Sequence, residues 1–135
     1  MKLVLSLLPG NFAVSRFAPG FVPNPELLAE RFVFTARTDD EFSLVCDAAL
    51  LARFQLDPPK VEDGWRAFKV MGPLDFALVG IMARLAAALA DAGISLFAVS
   101  TFDTDYVLVK AEVLDDALAA LERADCEVRA EGSAR

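Results

Sequence analysis

Two kinds of apolar rhythm alternate along the chain. Short runs rich in strand formers, broken by proline, glycine or acidic residues, occupy 3–8, 32–38, 42–46, 65–71, 94–102, 106–111 and 126–130; such runs predict strands. Residues 78–92 are apolar almost throughout and contain no proline. They end in Asp91-Ala92-Gly93, so they predict a mostly buried helix with glycine just past its last turn. Residues 114–124 put Leu114, Leu118 and Leu121 on one face. Asp115 and Asp116 fall in the first turn, where carboxylates suit the helix dipole. From residue 65 onward the order is β-α-β-β-α-β, with 94–111 a hairpin turning at Asp103-Thr104. That order is ferredoxin-like and predicts two helices over one face of a four-stranded antiparallel sheet.

The chain also resembles itself at an offset of 64 residues. In that register Pro9 lies over Pro73, Phe12 over Phe76, Asp39 over Asp103, Leu44 over Leu108 and Val45 over Val109. Two separate blocks in one register point to duplication. The N-terminal copy keeps strands at 3–8, 32–38 and 42–46, but Pro19, Gly20, Pro23 and Pro25 fall where the other copy has its long helix. Proline inside a helix costs about 3 kcal/mol, so at most a turn or two survives near 26–31, with a reduced second helix over 47–54. Residues 57–64, with Pro58-Pro59 and Gly64, read as a linker. The expected fold is α+β, a ferredoxin-like domain over 63–135 preceded by a degenerate half with antiparallel sheet over 1–62.

Composition narrows the function. The net charge is −7, from 13 Lys and Arg against 20 Asp and Glu. A sequence-independent nucleic-acid binder needs the opposite sign, and an anionic membrane surface repels this chain for the same reason. The expectation is therefore no nucleic acid and no membrane as partner. There is no histidine, which removes the commonest general base and every Ser-His or Cys-His nucleophile pair. Cys46 and Cys126 fit no zinc spacing and form no disulfide framework; both read as buried small apolar residues. The expectation is no enzyme, no metal and no cofactor. Met1-Lys2 followed by the apolar run 3–8 imitates a signal peptide, but the run stops at Pro9-Gly10 with no cleavage site. A first strand and a cytoplasmic location are expected instead.

At 72–81, Gly-Pro-Leu-Asp-Phe-Ala-Leu-Val-Gly-Ile, and at 100–110, Ser-Thr-Phe-Asp-Thr-Asp-Tyr-Val-Leu-Val-Lys, the chain resembles the ACT-domain proteins. The likeness is to stand-alone bacterial members related to the regulatory part of aspartate kinase and to the cytosolic arginine sensors, and it spans nearly the whole chain. It implies a regulatory module with an amino-acid effector held where one module's first-helix start faces a neighbouring module's second strand. Carried onto this chain, the helix start is Leu78, Val79, Gly80 and Ile81, the strand start is Ser95 and Leu96, and the hairpin end is Thr104 and Asp105. The arginine sensors carry an acidic residue where Leu78 stands, which argues against a basic ligand side chain. The resemblance also implies a homodimer and a regulated protein partner.

The residue chemistry fits that implication. A free amino acid needs donors for its carboxylate and an acceptor for its ammonium. A helix N-terminus offers unpaired N–H groups, Asp105 offers an anion, and Ser95, Ser100, Thr101 or Thr104 offer hydroxyls. Each also has a plainer role: Asp105 stabilising a turn, Asp75 capping a helix, Gly80 allowing helix–sheet packing. The alternative function is a structural or protein-interaction dimer with a vestigial pocket.

Overall fold

The computed structural model describes residues 2–72 and 79–130. Its elements are strands β1 (Leu3–Leu7) and β2 (Phe12–Phe17), helix α1 (Pro25–Leu28), strands β3 (Phe34–Arg37) and β4 (Phe42–Asp47), helix α2 (Ala49–Arg53) and the long strand β5 (Lys60–Gly72). Helix α3 (Val79–Asp91), strands β6 (Phe97–Ser100) and β7 (Asp105–Lys110), helix α4 (Leu114–Arg123) and strand β8 (Cys126–Ala130) follow. They form two compact units, one built from the described residues of Met1–Pro9 and Arg66–Arg135, the other from Gly10–Trp65.

The unit Gly10–Trp65 runs β2-α1-β3-β4-α2-β5 and orders its strands β3-β4-β2-β5, with each neighbouring pair antiparallel. It therefore holds all six elements of the ferredoxin-like order, with helices cut to four and five residues. Its first strand is Phe12–Phe17, not the expected 3–8. Its last strand is the polar stretch from Lys60 on, where a linker was expected; Arg16, Ser15 and Val14 pair with Lys60, Val61 and Glu62. Backbone pairing can hold a strand whose side chains are polar and exposed, which the hydrophobic pattern does not register. The prolines do confine α1, which starts at Pro25 after Asn24 Oδ1 accepts the Glu26 N–H at 2.8 Å. Phe17, Leu27, Phe42, Leu44, Cys46 and Leu50 make the core, and Phe21 stacks on Phe17 at 4.0 Å.

The other unit carries β5-α3-β6-β7-α4-β8 as expected, plus β1. Its sheet is five-stranded rather than four-stranded. β1 lies between β5 and β8, antiparallel to the first and parallel to the second, while β7 pairs with β5 and β6. The expected division at 62/63 differs from this grouping, because the first strand joins the C-terminal segment and the other unit is inserted between β1 and the second half of β5. Ile81, Leu85 and Leu89, four apart, bury one face of α3 with Leu3, Leu5, Phe68, Val70, Val107, Val109 and Leu121. Gly93 ends α3 at φ +74°, its N–H bonded to Ala90 and that of Ile94 to Leu89, both at 2.9 Å.

Candidate functional site

The hairpin end is well ordered by its own bonds. Ser100 and Asp105 are the terminal pair of the β6–β7 ladder, and the Ser100 hydroxyl donates to Asp105 Oδ1 at 2.6 Å. Thr101 N–H donates to the Thr104 carbonyl at 2.7 Å. Thr104 N–H donates to Thr101 Oγ1 at 3.1 Å. The two central turn residues are thus Phe102 and Asp103, one position earlier than Asp103-Thr104. Thr38 and Glu41 close the β3–β4 hairpin in the same way: Thr38 N–H donates to the Glu41 carbonyl at 2.9 Å, and Glu41 N–H donates to Thr38 Oγ1 at 3.2 Å. The matching threonines, Thr38 and Thr101, stand 63 apart. At that spacing Leu44, Val45 and Cys46 match Val107, Leu108 and Val109, all buried. The hairpins therefore correspond one residue out of the register that the identical pairs suggest.

The helix start divides. Leu78 lies outside the described residues, and Val79 opens α3. Gly80 is exposed, and a Cβ added there meets nothing within 4 Å, so tight packing does not require a glycine at this position. Ile81 is 1% exposed and belongs to the core; its side chain is not open to a ligand. Beyond the far end of α3, Ser95 is exposed and Leu96 packs on the core.

Connectivity sorts these residues into two groups. β5 leads into α3 and α3 leads into β6, which rises to the hairpin. The start of α3 and the pair Thr104 and Asp105 therefore share one end of the unit, while Ser95 and Leu96 lie at the other. A helix of 13 residues is about 20 Å long at its usual rise, so one small molecule cannot touch both groups in a single copy. Two open grooves are lined by described residues, one by Phe17, Pro19 and Pro59 among others, the second by Lys2, Glu122 and Cys126 among others. None of the expected site residues lines either. Among the described residues no cluster of Cys, Asp and Glu could hold a metal ion, and no described helix is long and apolar enough to cross a membrane.

Both thiols are shielded. Burial, with the Asp47 carboxylate adjacent, pushes Cys46 up to about 11, and burial also raises Cys126. Neither is a ready nucleophile at neutral pH.

Comparison with known proteins decides the family. Residues 60–123 match the sequence family described as the ACT domain. A structure of protein Atu0741 from Agrobacterium tumefaciens is 30% identical and superposes with a TM-score of 0.85 over 100% of this chain and 98% of that one. The chain belongs to the ACT-domain family. The human protein named cytosolic arginine sensor for mTORC1 subunit 1 is 31% identical over an alignment of 104 residues that covers 74% of this chain and 32% of that protein. The ACT-domain chain thus spans about a third of the length of the curated relatives it matches. The regulatory subunit of aspartate kinase from Thermus thermophilus shares the fold, with a TM-score of 0.59 at 14% identity over 89% of this chain and 96% of that one.

Among the residues that define this ACT domain's hairpin end, Phe102 is the one that the sequence reading passes over. Its signal is a phenylalanine set among Thr101, Asp103 and Thr104, where turns usually hold polar residues.

Proposed function

We propose that this ACT-domain protein is a non-enzymatic cytoplasmic receptor for an amino acid or a similar small effector, and that it reports the bound state to a protein partner. The observation that carries this is the match of residues 60–123 to the ACT domain, supported by the likeness of most of the chain to a named arginine sensor. The ligand lies between the start of α3, Val79 and Gly80, and the hairpin end, Thr104 and Asp105. Backbone N–H groups at the helix start suit its carboxylate, and Asp105 suits its ammonium. Ser95 and Leu96 reach the same ligand only from a second copy, so the complete site belongs to a homodimer. Leu78, standing in the sequence where the arginine sensors carry an acidic residue, favours an effector without a basic side chain.

Isothermal titration of the chain with each of the twenty amino acids at millimolar concentration tests this. Saturable heat for one or a few, abolished in Asp105→Ala, is expected. No heat and no thermal stabilisation with any of them sinks the proposal. A second reading, a structural or protein-interaction dimer with a vestigial pocket, is favoured by the engagement of Asp105 with Ser100 and by the burial of Ile81. It predicts that Asp105→Ala leaves oligomeric state and partner capture unchanged.

A further inference from the structure

The β6–β7 hairpin ends in an aromatic knob. Phe102 is 101% exposed, at the centre of a turn whose flanking threonines are bonded to each other. Asp103 beside it is also exposed. Single exposed apolar side chains are ordinary on a folded surface. A whole phenyl ring carried on a bonded hairpin tip keeps its full hydrophobic surface in water, and the tip is already ordered before any contact forms.

The unit Gly10–Trp65 carries a feature of matching size and opposite charge. An open groove of about 240 Å³ is walled by Phe17, Ala18, Pro19 and Pro59. A cavity of roughly 150 Å³ accepts a benzene ring, so this groove has room for one phenyl group. Arg16 and Lys60 also line it and stand directly opposite each other on β2 and β5. Like charges in that position repel, and an incoming carboxylate relieves the repulsion. Asp40 is the single carboxylate in the lining, so cations outnumber anions there on a protein of net charge −7.

We propose that the Phe102-Asp103 tip of one copy docks into this groove on a second copy. The ring lies against Phe17 and the prolines, and Asp103 faces Arg16 and Lys60. The occupant is a second copy because the chain itself supplies a free knob whose charge complements the socket. Two net-negative copies repel at long range, so their association needs a local match of this kind. Knob and socket are different surfaces, so the contact is heterologous and closes on itself only when it is reciprocal. The proposal does not depend on effector binding.

Sedimentation velocity of the full chain over a concentration series, at low and moderate salt, tests it. The wild type self-associates at moderate salt, where the long-range repulsion is screened. Phe102→Ala weakens association about tenfold or more, as loss of a central aromatic anchor does. Lys60→Glu weakens it too, and adding Asp103→Lys to Lys60→Glu restores part of the loss. All three positions are exposed, and circular dichroism confirms that each variant stays folded. A wild type monomeric at every concentration, a Phe102→Ala that associates as the wild type does, or a charge exchange that restores nothing overturns the proposal.

Discussion

Ile81 sits two residues into α3 and is sealed among Leu3, Leu85 and other core residues. Its role separates packing from recognition. Ile81→Ala should cost about 2–5 kcal/mol of stability, as large-to-small core changes do, measured by urea unfolding. A ligand contact would instead lose effector affinity with little change in the unfolding midpoint. Cys46 gives a pH-dependent counterpart. Its thiol is fully buried and titrates at about 11 rather than the ordinary 9.0. The folded state therefore keeps a proton that the unfolded chain releases, and the stabilisation is complete below pH 9. It declines as pH rises from about 9 to about 11, by up to about 2–3 kcal/mol. Cys46→Ala should flatten that slope in denaturation curves recorded between pH 8 and 11.

At the scale of elements, three helices finish on a residue with positive φ: Gln55 after α2, Gly93 after α3 and Asp125 after α4. Gln55 N–H bonds to Ala52 at 3.1 Å and Leu56 N–H to Leu51 at 2.8 Å, the same closure that Gly93 makes for α3. Only glycine takes this conformation without steric cost. Gln55→Gly should therefore stabilise the fold by about 1 kcal/mol, and Gly93→Ala should destabilise it by a similar amount; thermal unfolding followed at 222 nm checks both. The elements also show what the sequence makes legible. α3 stands out by its apolar spacing and Gly93, and α4 by its apolar spacing and its acidic first turn. β2 is hidden because Phe12-Ala13-Val14 matches Phe76-Ala77-Leu78, which precede a helix, so the repeat suggests a helix start where the chain forms a strand. The opening of β5 is hidden because Lys60, Glu62 and Asp63 are polar and exposed, and only pairing with β2 makes them a strand. The expected site is half legible. The hairpin end can be read from its serine, threonines and aspartate. The fate of Ile81 cannot, since an isoleucine at a helix start carries no mark of which way it faces.

At the scale of the molecule, the insertion of Gly10–Trp65 leaves its two joints side by side. Leu7 pairs with Phe68 across β1 and β5, and Leu8 N–H bonds to the Ala67 carbonyl at 2.9 Å. Antiparallel strands so placed can be joined by a two-residue turn. A chain in which Asn-Gly replaces residues 10–65 should still fold cooperatively, giving a single sigmoidal thermal transition with native-like strand and helix content. A gradual, non-cooperative melt would show that the sheet of this unit requires the insert.

The parallel pairing of β1 with β8 also sets an order of events during synthesis. Leu3 meets Cys126 and Leu7 meets Ala130, so β1 waits for a partner strand made much later along the chain. Closing so long a loop is slow compared with local pairing. The strands of the inserted unit pair within its own stretch of chain, so it can mature first, while the surrounding framework stays open until β8 has been made.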